Sequence, residues 1–169
     1  MATAMNAKRK ASEEHWKLME QVCTAAEEGL DPEKAAMAMA QLLFEAYEKD
    51  MFLVIGCVHQ PETVRIHLPA MEGRAGVAAF QQSERTRQAY LQTRMGRMYL
   101  FYSSVAAGKM RARPGITADL CSAREALGNI LNRQKVIAVA VDEVIVPVVL
   151  LEMRFGGKPA KPDHFVPEK

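Results

Sequence analysis

The longest apolar stretch of this chain, "VIAVAVDEVIVPVVLLEM", is broken at its centre by Asp142 and Glu143, which argues against a membrane-spanning helix. Near the start there is no unbroken apolar run either. Lys8, Arg9 and Lys10 lead into "ASEEHWKLMEQ", so secretion through a signal peptide is not expected. Cysteine is scarce. Cys23, Cys57 and Cys121 are odd in number and widely spaced, which suits reduced thiols buried as small hydrophobes in a cytoplasmic protein better than a disulfide framework. Phosphate-cradling glycine patterns are missing: "GRAG" at Gly73 to Gly76 and the pair beginning at Gly156 fit neither GxGxxG nor GxxxxGK[ST] and are read as turns. The net charge of +2 gives no overall pull toward nucleic acid or anionic membranes.

That small total conceals an asymmetry. Residues 1–55 carry ten acids against six bases, whereas 85–113 carries seven bases and no acid. The acidic part reads as a helical hairpin over 1–50. Ser12 is placed as the cap of a first helix with Trp16, Met19, Cys23 and Ala26 on one face and Gly29 as its stop. Asp31, Pro32 and Glu33 then mark the start of a second helix, with Ala36, Met39, Leu43 and Tyr47 along an apolar stripe.

From Met51 the period changes. "MFLVIGCVH", "TVRIHLPAM" and "AGVAAFQ" read as three successive strands in antiparallel pairing. Ser83, followed by Glu84, sits where a helix N-cap belongs, so "SERTRQAYLQTR" reads as a helix with a solvated arginine face. "RMYLFYS" reads as a strand and "SSVAAGKMRARPG" as irregular. Ser122 and Glu125 form a capping-box pattern before a helix through Leu131. "VIAVAV" and "VIVPVVLLEM" are expected to pair about a solvated turn at Asp142 and Glu143, with Pro147 on an edge or at a bulge. The class is therefore α+β: a mixed or antiparallel sheet with helices packed on it over 51–155, preceded by the hairpin and followed by a Gly- and Pro-rich tail, 156–169, expected to be flexible.

The residues that could carry chemistry also have plainer roles. Cys57 and His59 share a strand face and His67 lies on the next strand, but without a CxxC or HxxxH partner a structural role is preferred to a metal site. "QSERT" around Ser83 is neither a GxSxG elbow nor an SxxK pair, so the serine reads as a cap. Arg85, Arg87 and Arg94 head a basic segment with Tyr90, Tyr99, Phe101 and Tyr102 close by, a composition that can bind single-stranded nucleic acid. A solvated face complementary to the acidic arm is the preferred alternative.

The order "LPAM", "GVAAFQQSERTRQAY", a second short helix and "KVIAVAVDEVIVPVVL" resembles the N-terminal domain of SseB-type proteins, the bacterial family named for enhanced serine sensitivity. In that family a strand ending in an AFTS-like phrase leads into a helix, and a later helix precedes a strand with an INP-like phrase. Here Ala79 to Glu84 stand at the first place, and Val139 to Glu143, lacking the Asn-Pro, at the second. The resemblance covers roughly Met51 to Phe155. It implies an α+β bacterial domain and supplies no catalytic residues.

The resulting expectation is a non-catalytic, cytoplasmic protein-interaction or accessory module that self-associates or binds a protein partner, with no cofactor, no metal and no membrane contact. Its second helix is apolar almost all round, which nominates Met37 and Phe44 as interface residues. The competing expectation is an RNA- or DNA-binding module using 85–113, with Arg85, Arg87 and Arg94 on phosphate.

Overall fold

The computed structural model describes residues 2–58, 64–67, 75–80, 87–111, 115–131 and 135–155. Two helices, α1 (Ala2–Glu27) and α2 (Pro32–Glu48), precede the strands β1 (Phe52–Val58), β2 (Val64–His67), β3 (Ala75–Phe80), β4 (Ala89–Gln92) and β5 (Arg97–Tyr102). Then follow α3 (Val105–Met110), β6 (Ile116–Ser122), α4 (Ala123–Leu131), β7 (Val136–Val141), β8 (Val144–Pro147) and α5 (Val148–Arg154). The class is α+β, as the segregated helix and strand patterns imply.

Among the described residues, one sheet holds all eight strands. Its main path is β2, β3, β4, β5, β1, β6, and β7 joins through β5 with β8 beyond it. Every pairing is antiparallel except β5 with β7, which is parallel because the chain between them crosses over through α3, β6 and α4. β1 pairs with β6 from Phe52↔Ser122 to Val58↔Ile116 and with β5 at Val54↔Tyr102 and Ile55↔Phe101, so it does not pair with β2 as simple succession suggests. Beyond Ile55 the partner of β5 becomes β4, through Tyr90↔Tyr99. Gly56 sits at this change of partner, where a side chain would press on Leu100 Cβ at 3.3 Å and Ala89 Cβ at 3.6 Å.

The helices cover one face of the sheet. Trp16 and Met19 of α1, Met39 and Leu43 of α2, Leu127 and Ile130 of α4 and Leu151 of α5 share a single core with Tyr99 and Phe101 of β5 and Val139 and Val141 of β7. The alternate residues Met98, Leu100, Ala138 and Ala140 form a smaller cluster on the other face. β7 is thus buried on both sides, as its continuous apolar character requires.

Polar side chains spaced along α1 fasten it to four other parts of the fold. Ser12 Oγ accepts the Phe52 N–H at 2.9 Å, and Trp16 Nε1, one turn on, donates to the Phe52 carbonyl at 2.9 Å. His15 Nε2 lies 2.7 Å from the Leu42 carbonyl of α2. Glu20 accepts from Ser104 Oγ at 2.8 Å, and Glu27 pairs with Arg111. Ser12 is therefore not a helix cap: α1 begins ten residues earlier, and the hydroxyl serves the start of β1 while donating to the Lys8 carbonyl. The second helix begins where expected, with the Asp31 side chain accepting from Lys34 N and Pro32 in the first turn.

Three further segments differ from their sequence reading. Ala89–Gln92 is strand β4 and not part of a helix, because it can pair with β3 on one edge and β5 on the other. Ser83 itself lies outside the described residues. "SSVAAGKM" contains the short helix α3, capped by Ser104 Oγ on Ala107 N at 3.0 Å. Pro147 closes β8, whose pairing among the described residues is with β7 only. "VVLLEMR" after it is helix α5, since proline's fixed φ suits a helix entrance.

Candidate functional site

The apolar circumference of α2 is largely consumed within the chain. α1, α4, α5 and β8 all pack on it. Ala35, Ala36, Met39, Ala40, Leu43 and Ala46 are buried. Phe44 is half-buried, with its ring edge-on to Phe155 at 5.1 Å, and Tyr47 meets the same ring at 4.8 Å. Phe44 is thus part of an internal aromatic contact. Met37, two turns before it, stays 46% exposed, and on the neighbouring α5 Val149 and Met153 are 54% and 68% exposed. Each of these two packed helices thus exposes apolar side chains to solvent.

The basic segment does not form one helix face. Arg85 lies outside the described residues. Arg87 precedes β4 with a positive φ of 49°, its carbonyl accepting the Val58 N–H, while Arg94 is exposed in the turn between β4 and β5. With a four-residue strand between them, the two are about 20 Å apart along the chain. Arg97 stacks over the Tyr90 ring at 4.8 Å.

Arg111 is drawn into a cluster of acids instead. Its Nη2 lies 3.5 Å from Glu27, its Nε 3.7 Å from Asp142 and its Nη1 3.6 Å from Glu143. Complementarity between the basic segment and the acidic arm is therefore real at this point. Asp142 is not in a solvated turn. Its carboxylate is buried, accepting Ser103 N at 3.1 Å and Ser103 Oγ at 2.6 Å, while its own N–H donates to the Phe101 carbonyl. One guanidinium reaches both Asp142 and Glu143. Sequence reasoning missed this arrangement because the turn looks like any charged hairpin tip; the only visible signal was a base-rich segment in a chain with an acid-rich arm.

Cys23 lies beside the cluster, its thiol donating to the Val141 carbonyl at 3.6 Å. Burial pushes the thiol's pKa well up, and the neighbouring Asp142 carboxylate adds to the effect. Such a thiol stays protonated at neutral pH and is a poor nucleophile. Cys57 is buried in β1; His59 lies outside the described residues, and His67 belongs to β2. Among the described residues no group of three or more His, Cys, Asp or Glu is arranged to hold a metal ion, and no helix is long and apolar enough to cross a membrane.

No family model, curated protein or solved structure matches this chain.

Proposed function

We propose that this protein is a non-enzymatic, cytoplasmic protein-interaction module of SseB-like type, and that it docks through the surface shared by α2 and α5. The observation that carries this reading is the exposure of Met37, Val149 and Met153 on two helices already packed together. Exposed apolar side chains on packed helices favour a protein partner over water, and methionine adapts to irregular partners. A second copy related by a two-fold axis is the simplest partner. Phe44 is already engaged within the chain, its ring edge-on to Phe155.

Sedimentation velocity over a range of concentrations tests the reading. Association that survives nuclease and disappears in the Met37→Glu, Met153→Glu double variant, with its circular dichroism unchanged, is the expected result. A chain that stays monomeric at high concentration, and instead binds single-stranded nucleic acid with a steep salt dependence lost in Arg87→Glu and Arg94→Glu, would replace it with the nucleic-acid reading.

A further inference from the structure

A hollow of about 410 Å³ opens between the α1–α2 connection and the β7–β8 turn, on a part of the molecule the proposed docking surface does not use. Ala26 of α1, Leu30 of the connection, Pro32 and Ala35 of α2 and Val144 and Ile145 of β8 make most of its lining apolar, together with the buried Cys23. Glu27 and Glu143 complete the lining. A volume in this range, mostly apolar with a few convergent polar groups, is the general form of a small-molecule site.

The two carboxylates in the lining, Glu27 and Glu143, select the ligand's charge. Glu27, Asp142 and Glu143 share one guanidinium, three carboxylates to a single cation. The sharing is also loose. All three ion-pair contacts of Arg111 fall between 3.5 and 3.7 Å, beyond the 2.7–2.9 Å typical of a charge-assisted hydrogen bond. Asp142 is compensated by Ser103, which donates to it twice. Among the described residues no serine donates to Glu27 or Glu143, and both line the hollow. Acceptors of this kind call for a compact donor with several N–H groups, and the apolar lining calls for hydrocarbon.

We propose that this hollow binds a small aliphatic ammonium compound, its charged head on Glu27 and Glu143 and its chain along Ala26, Leu30, Val144 and Ile145. An anion would meet the two carboxylates, and a fully polar cation would leave the apolar lining uncovered. The alkyl chain contributes by removing apolar surface from water, and the head by a partly exposed ion pair, so affinity should depend on both.

The test is titration of the full chain with n-hexylammonium, n-hexanol and n-hexanoate, followed by amide NMR. Saturable shifts with hexylammonium at Ala26, Leu30, Val144 and Ile145 are expected, with weaker binding of hexanol and none of hexanoate. Glu143→Gln should weaken hexylammonium binding about two- to fivefold, as expected for a partly exposed pair. Ala26→Leu, which fills the hollow from an accommodating helical position, should abolish it. Equal binding of hexanoate, no saturable binding of the amine, or shifts elsewhere would each overturn the proposal. Met37→Glu with Met153→Glu is expected to leave hexylammonium binding intact, so this inference and the docking surface fail separately.

Discussion

Asp50 and Asp142 occupy matching situations in different surroundings. Both sit at a junction with positive φ, 47° and 53°, which aspartate tolerates better than most residues. Each accepts a hydroxyl from a distant segment, Ser122 for Asp50 and Ser103 for Asp142, and each has a cation near, Lys8 at 3.6 Å and Arg111 at 3.7 Å. Asp50 also receives the Arg124 N–H at the start of α4 and so ties the α2–β1 junction to a helix more than seventy residues away. The difference is water. The Asp50 side chain is 35% exposed and that of Asp142 only 5%. Similar bonds should therefore carry different weights: solvent can replace the partners of Asp50, but the donors around Asp142 would be left unsatisfied.

The largest expected effect follows directly. Asp142→Ala leaves the Ser103 N–H and hydroxyl buried without their acceptor and places alanine at a positive φ, at a cost of about 4 kcal/mol. Asp142→Asn keeps an acceptor and the tolerated backbone and should recover about half of that loss. Asp50→Asn should cost about 1 kcal/mol, in the range of a lost helix cap. Urea denaturation of the three variants measures this. Equal losses at the two aspartates would show that burial is not what separates them.

A second contrast lies in pH. Burial alone would raise the Asp50 pKa, but hydrogen bonds from Ser122 and the Arg124 backbone, together with Lys8, outweigh it and hold the carboxyl below its ordinary value of 3.8. Its contribution is present above that value and is lost as pH falls below it. Cys23, beside Asp142, is raised, so its contribution is complete below the ordinary thiol value near 9 and declines as pH rises beyond it. Ser122→Ala should flatten the acid limb of a stability-versus-pH curve, and Cys23→Ala the alkaline limb. A Cys23→Ala curve as steep as wild type above pH 9 would remove the thiol from the account.

How much of this was legible from sequence varied with how local its cause is. Asp31, Pro32 and Glu33 act within one turn, and the start of α2 was readable from them. The β7–β8 hairpin was readable too, because its apolar runs flank a two-residue turn. Ser12 was misread because a serine's hydroxyl looks the same whether it caps its own helix or, as here, receives Phe52 forty residues away. Ala89–Gln92 sits in cap-and-helix sequence, yet it has strand edges on both sides to satisfy, and pairing overrides propensity. The acidic cluster on Arg111 depends on residues 27, 111, 142 and 143 meeting, which no spacing encodes. Met37 and Phe44 looked equivalent at helical period, and only the position of Phe155 separates them.

The smallest expected effect sharpens the comparison most. Lys8 lies 3.6 Å from Asp50 with its Nζ 4.4 Å from the Phe52 ring centroid, so in its distance to the aspartate it resembles Arg111 beside Asp142 at 3.7 Å. Both members of the Lys8–Asp50 pair are about one-third exposed, however, and water and salt screen their attraction. A double-mutant cycle with Lys8→Met and Asp50→Asn should therefore give a coupling of about 0.5 kcal/mol or less, reduced further in 1 M salt. The matching cycle with Arg111→Met and Asp142→Asn should give about 1–2 kcal/mol and keep most of it in salt, because Asp142 is shielded from counterions. Arg111 touches two other acids, so Glu27→Gln and Glu143→Gln cycles with Arg111→Met must come out smaller than the Asp142 cycle if burial sets the scale. A Lys8–Asp50 coupling as large and as salt-resistant as that of Arg111–Asp142 would mean that the two junctions differ in geometry and not in their access to water.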